Sequence, residues 1–152
     1  MVNALGRLAQ TAMKRRLAIL SQVFLLCALF TNAWGSDNYK RCVEYFEDKD
    51  FKKAYRFCKE SQDENAQFLM GEMYFNGLGV KENHVEAATW FRKAAEQGNC
   101  EALFRIGYMY YNGFGVKENH EEALLWFVKA AKKGHPRGRL YRDQILHKDK
   151  GK

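Results

Sequence analysis

Twenty-three residues, NGLGVKENHVEAATWFRKAAEQG from Asn76 to Gly98, return as NGFGVKENHEEALLWFVKAAKKG from Asn112 to Gly134, offset by 36. A chain that repeats itself in register must build the same supersecondary unit twice. A period in the mid-thirties is that of stacked helical hairpins. The register also runs upstream, pairing Ala66 with Ala102, Gly71 with Gly107 and Tyr74 with Tyr110.

Each unit reads as two helices. The first spans about 65–76 and, in the second copy, about 100–112, with Ala66, Leu69, Met70 and Met73 matched by Ala102, Leu103, Ile106 and Met109. Offsets of three and four place these on one helical stripe. Gly71 and Gly107 sit inside these helices, where glycine costs about 1 kcal/mol relative to alanine. Close approach of a neighbouring helix is the compensation to expect. Gly77 and Gly113 suit the left-handed residue after a helix end. A second glycine, Gly79 or Gly115, keeps the loop tight, and Val80 and Val116 fold back onto the core. The second helix starts from Asn83 and Asn119, each followed three residues later by a glutamate, Glu86 or Glu122. That is a capping-box pattern, in which the amide oxygen accepts a helix N–H and the glutamate reaches back. Ala87, Trp90, Phe91 and Ala94 form its apolar stripe, repeated as Ala123, Trp126, Phe127 and Ala130. Alternating bulky and small side chains interlock across facing helices. The unit stops at Gly98 and Gly134.

GxGVxxNxxEAxxWFxKAAxxG, preceded by AxxxxGxMYxNG, resembles the Sel-one-like repeat (SLR), a relative of the tetratricopeptide repeat. The resemblance covers about 64–135 as two complete copies. It implies an all-α fold, a right-handed α-α superhelix of antiparallel helical hairpins with two full repeats plus capping helices. It also implies a role in assembling protein complexes. The expected organisation is a signal peptide at 1–35, a degenerate hairpin at 36–63, repeats at 64–99 and 100–135, and a capping helix with basic tail at 136–152.

FKKAYRFCKES, from Phe51 to Ser61, echoes the second helix of a unit, but the Gly-x-Gly loop before it is replaced by Glu47-Asp48-Lys49-Asp50. Cys42 and Cys58 are equidistant from residue 50, so an antiparallel hairpin holds them at one level. A disulfide or two buried thiols would fit that placement. The disulfide is the expectation, supported by hairpin disulfides in related secreted repeat proteins. Cys100 opens a helix and is expected to be a half-exposed free thiol. Downstream, Pro136 suits a first helical turn. The last helix, about 136–147, should turn Leu140, Tyr141 and Ile145 inward and Arg137, Arg139, Arg142 and Lys148 to water.

The formal net charge is +7, a value that points to nucleic acid in a uniformly basic protein. Here residues 1–35 carry +4, residues 36–128 carry −4 and residues 129–152 carry +7. The acidic body excludes a nucleic-acid face. The basic tail reads as a solvated helix end or as a weak contact with anionic membrane or cell-wall polymer. The N-terminal charge belongs to another pattern: Lys14-Arg15-Arg16, then the uncharged run Leu17 to Phe30, then Ala33 and Gly35. Those are the three regions of a secretory signal with Met13 as its start. The apolar run is shorter than the roughly 20 residues of a membrane span, although an uncleaved inner-membrane anchor is the alternative. Cys27 lacks the small preceding residue of a lipoprotein signal and leaves with the leader.

No nucleophile elbow, phosphate loop, paired-cysteine metal motif or HExxH occurs. His84 and His120 share a repeat position beside glutamates, yet one repeat separates them, too far to share an ion, so they read as solvated loop residues. No catalytic residue, metal site or cofactor is expected. The crowded aromatics of the first helices are the candidate partner-binding surface: Tyr74, Phe75, Arg105, Tyr108, Tyr110 and Tyr111. First helices of such solenoids line the concave side, where aromatic side chains make strong anchors. The function expected is therefore a non-catalytic protein–protein adaptor or scaffold of the bacterial periplasm or envelope. Two alternatives are a cell-wall- or penicillin-binding, β-lactamase-like protein, which the resemblance to cysteine-rich secreted relatives implies, and a secreted host-interaction factor.

Overall fold

A computed structural model describes residues 37–150, with side chains through 147; the leader expected at 1–35 lies outside the described residues. Seven helices follow one another without a strand among these residues: α1 over 37–47, α2 Phe51–Glu60, α3 Glu64–Asn76, α4 His84–Gln97, α5 Cys100–Asn112, α6 His120–Lys132 and α7 Pro136–Lys150. Each helix from α2 to α7 packs against its neighbour in sequence. The result is an all-α helical repeat solenoid, with α3–α4 and α5–α6 as the two full hairpins.

The mid-helix glycines are explained by one contact each. A Cβ at Gly71 would lie 2.5 Å from two ring atoms of Phe91, and at Gly107 it would lie 2.9 Å from the ring of Phe127. Phe91 and Phe127 are fully buried, so each hairpin closes by setting a phenylalanine of its second helix on the bare backbone of its first. The loop glycines do a different job. Gly79 has φ +70° and abuts the Phe51 backbone, while Gly115 has φ +66° and abuts the His84 carbonyl. Each Gly-x-Gly loop therefore rests on the start of the second helix of the preceding unit. A side chain at either glycine would hold the units apart.

Asn83 Oδ1 accepts from the Val85 and Glu86 N–H groups at 3.1 and 3.2 Å, and Asn119 Oδ1 accepts from Glu122 at 3.0 Å. The return half of the expected capping box does not form. The N–H of Asn83 is taken by the Tyr74 carbonyl and that of Asn119 by the Tyr110 carbonyl, both at 2.9 Å. The donor is thus spent on tying the loop to the first helix. Glu122 instead accepts from Trp126 Nε1 at 2.9 Å.

Cys42 and Cys58 form a disulfide between α1 and α2, with sulfurs 2.05 Å apart, in a core shared with Ala54, Ala66, Met70 and Met73. Cys100 is partly exposed and free. At the other end, α7 turns Tyr141 and Ile145 inward as expected, but not Leu140. Gly138, Tyr141 and Ile145 face the core, and Leu140 is 53% exposed. The reason is Gly138: a Cβ there would come within 2.8 Å of the Ala130 Cβ, so α7 seats its glycine against α6 and rotates Leu140 outward. Arg137 is exposed as expected, with its guanidinium over the Phe104 ring at 4.6 Å.

Polar contacts run along one seam, within the α3–α4 hairpin and from it to the next. Gln97 Nε2 donates to Gln67 Oε1 at 2.8 Å, Asn99 Nδ2 donates to Asn65 Oδ1 at 2.9 Å, and Lys133 Nζ donates to the Gly98 carbonyl at 2.8 Å. The Lys133 bond satisfies a helix-end carbonyl with a cation, a favourable charge arrangement at a helix C-terminus.

A candidate partner-binding groove

The first helices of successive units, α3, α5 and α7, turn one face each toward a shared groove of about 570 Å³. Its walls are Phe75 from α3; Phe104, Arg105 and Tyr108 from α5; Arg137 and Tyr141 from α7. Glu82, His84 and Phe114 close one end. A larger depression of about 680 Å³ lies beside Tyr110 and the 116–121 loop. That depression is lined mainly by polar loop residues and brings no successive helices together, so the groove is the stronger candidate.

The aromatic lining is a connected network. Tyr141 meets Phe104 edge-on at 5.6 Å and Tyr108 at 6.0 Å, and Phe114 meets Phe75 edge-on at 6.0 Å. His84 stacks on Phe75 at 4.8 Å, with Nε2 3.3 Å from Glu82. His84 is therefore a wall of the groove, not a solvated loop residue. His120, its repeat partner, stacks on Tyr111 at 4.8 Å and bonds Glu118 at 2.9 Å. No group of three or more His, Cys, Asp or Glu side chains among the described residues is placed to hold a metal ion.

Charge in the groove is paired across helices. Arg105 Nη2 donates to Glu72 Oε2 at 3.1 Å, and its Nε lies 2.9 Å from Oε1. That second approach is close but misaligned, so neither Nε nor Oε1 completes a hydrogen bond through it. Burial raises the Glu72 carboxyl above its ordinary value, against the opposing pull of Arg105 and the Asn76 amide. Arg137 reaches Glu101 only at 3.8 Å and is 57% exposed, so its guanidinium is the freer cation. His135 is buried at the start of α7. Its Nδ1 accepts from the Gly138 N–H at 3.0 Å, which places the proton on Nε2, 3.1 Å from Glu101 Oε1. Its ring stacks on Phe104 at 4.6 Å and fixes that wall.

Of the six residues singled out in the sequence, Phe75, Arg105 and Tyr108 meet in the groove. The other three do not. Tyr74 shares a 3.1 Å hydroxyl contact with Tyr55 on the N-terminal side, which pushes its phenol up to about 12. Tyr110 accepts from Arg92 at 2.8 Å, and Tyr111 packs inside against Phe127 and Tyr141. Sequence reasoning missed Phe104, Phe114, Arg137 and Tyr141. One signal was available for Phe114: it replaces Leu78, a point where the copies differ inside an otherwise matched loop. Burial holds the Cys100 thiol above its usual range, which keeps it protonated and a poor nucleophile.

The Sel1 repeat pattern matches residues 65–99 and 100–135. Among solved structures, the chain is similar to a Sel1 repeat protein from Oxalobacter formigenes, at 33% identity and TM-score 0.66, covering 68% of this chain and 44% of that one. It is similar to a protective antigen present in uropathogenic Escherichia coli strains that displays an SLR fold, at 30% identity and TM-score 0.69, covering 75% of this chain and 26% of that one. It is also similar to Helicobacter pylori cysteine rich protein B, at 27% identity and TM-score 0.55, covering 57% and 67%. The chain thus spans less than half the length of the first two. No curated protein matches it.

Proposed function

The chain is an SLR-family helical repeat protein, a protein-interaction module by fold, and from that premise we propose that it is a non-catalytic adaptor whose partner lies in the α3–α5–α7 groove. One observation carries this reading: five aromatic side chains and two arginines, delivered by successive first helices and their loop, converge on one concavity. Aromatic and arginine residues are those most enriched at binding hot spots. The groove is preformed, because Phe104 is fixed by His135 and Arg105 by Glu72, so little ordering cost remains at binding.

Export to the periplasm, or beyond it, is part of the proposal. A buried disulfide suits an oxidising compartment, and no helix among the described residues is long and apolar enough to cross a membrane. Similarity to a protective antigen of uropathogenic strains favours a second reading, a factor that meets host proteins. Recovery of the protein in the periplasmic fraction alone would decide against that reading.

The test is site-specific photo-crosslinking in the envelope fraction. A crosslinking residue at Tyr108 should capture a defined partner, and one at Tyr110, outside the groove, should not. With the crosslinking residue kept at Tyr108, Arg137→Ala with Tyr141→Ala should abolish the capture. Equal capture from both positions, or capture indifferent to the double variant, would refute the groove assignment.

A further inference from the structure

The two repeats differ on the outer side of their second helices. Thr89 and Arg92 in α4 become Leu125 and Val128 in α6. In the first unit, Arg92 donates to the Tyr110 hydroxyl of the next first helix at 2.8 Å. By the 36-residue register, that polar pair corresponds to Val128 on α6 and Leu146 on α7. Leu125 is 58% exposed and Leu146 is 42% exposed. An aliphatic patch therefore replaces a hydrogen-bonded seam, and no described element covers it.

Its surroundings are cationic. Leu125 is three and four residues from Val128 and Lys129, and these are four and three from Lys132, which places all four along one face of α6. Arg139, Arg142 and Leu146 do the same on α7. Lys129, Lys132 and Arg139 are exposed, and residues 129–152 hold nine basic and two acidic side chains. A solvated helix end has no need of exposed leucines, and an aliphatic core for a protein partner has no need of this charge density. Aliphatic side chains ringed by lysine and arginine match the boundary between anionic headgroups and acyl chains.

We propose that the outer face of α6 and α7 is a docking surface for an anionic lipid membrane. The charge magnitudes set a second copy of the chain aside as occupant. The acidic surface on α1, formed by Glu44, Glu47 and Asp48 with Lys40 among them, offsets only part of the +7 of the C-terminal segment. An anionic leaflet meets the exposed Lys129, Lys132 and Arg139 together, each basic residue near the surface strengthening binding about fivefold. A purely polar cell-wall polymer would leave the leucines unused.

Residues 36–152 form a compact unit of their own, so this fragment is produced without the apolar N-terminal stretch and checked for helical circular dichroism. It is sedimented with phosphatidylcholine vesicles and with vesicles that also contain phosphatidylglycerol. Binding is expected only to the second and should weaken steeply with added salt. The decisive variant restores the residues of the first repeat, Leu125→Thr with Val128→Arg and Leu146→Tyr. These side chains stand at the matching positions of the first repeat, and helical circular dichroism and a urea melt confirm that the variant is folded. The variant gains a positive charge and loses three aliphatic groups, and the partition coefficient should drop about tenfold. Lys129→Glu with Lys132→Glu should weaken it further. Tighter binding by the restored variant would show charge attraction alone and overturn the proposal. So would equal binding to both vesicles, binding to neither, binding to isolated cell-wall polymer but not to vesicles, or concentration-dependent self-association that the restored variant abolishes.

Discussion

Gly71→Ala sets two effects of opposite sign against each other, and the structure decides between them. Helix propensity alone makes the substitution stabilising by about 1 kcal/mol. Packing opposes it. The new methyl would lie 2.5, 2.5 and 2.9 Å from three ring carbons of Phe91, where carbon atoms rest comfortably at about 3.5–4.0 Å. Phe91 has little freedom to retreat, being fully buried with Phe68 and Phe75 packed against it at 5.7 and 6.4 Å between ring centres. Overpacking of this kind costs about 1–3 kcal/mol, and three short contacts on an immobile ring place Gly71 near the upper end. The net loss is then about 2 kcal/mol, a fall of about 1 M in the urea midpoint for a slope of about 2 kcal/mol/M. At Gly107 the contacts to Phe127 are 2.9 and 3.0 Å, so Gly107→Ala should lose about half as much. Urea melts followed by far-ultraviolet circular dichroism measure both. Adding Phe91→Leu should remove much of the Gly71→Ala penalty in a double-mutant cycle. A Gly71→Ala protein more stable than its parent would refute the close-approach argument.

Two further outcomes are expected. Replacing Cys42 and Cys58 by alanine, or adding a reductant, opens a cross-link between residues 16 apart; the chain-entropy cost is about 3 kcal/mol, and an unchanged urea midpoint under reduction would contradict it. Glu72, whose carboxyl is raised by burial above its ordinary 4.5, binds its proton more tightly folded than unfolded. Stability should therefore fall as pH rises from that ordinary value through the folded one, and Glu72→Gln should flatten this slope in urea midpoints measured across the same range.

The repeat made much of the architecture legible, because stacking leaves its signature in register. Gly71 and Gly107 announced a close approach, and Asn83 and Asn119 announced helix starts, all at the matching positions. The hairpin carrying Cys42 and Cys58 could be read from symmetry about its turn. The groove was only half legible. Tyr74 and Phe75 are adjacent in sequence, as are Tyr110 and Tyr111, and a rotation of about 100° per residue sends neighbours to different surfaces. The twist between units then settles which reaches the concave side. Arg137 and Tyr141 were missed because α7 departs from the repeat: Gly138 sets its rotation, and the stripe cannot be phased without that contact. The capping-box bond failed because its donor had a tertiary partner, the carbonyl of Tyr74 or Tyr110, which no local pattern reveals.

The seam of Gln97–Gln67, Asn99–Asn65, Lys133–Gly98 and His135–Glu101 contacts has a bearing on how the molecule comes apart. Gln97–Gln67 closes the α3–α4 hairpin on itself, and the other three tie a helix only to its near neighbours along the chain, so loosening has a direction. Among the described residues, a covalent bond holds α1 to α2, and α7 has no such cross-link. Opening should advance from there, with α5–α6 released before α3–α4. The groove, roofed on one side by α7, is the first feature lost in that sequence and the last regained. The proposed partner site thus lies at the end that opens first, where occupancy by a ligand and the local order of the chain would be two measures of one equilibrium.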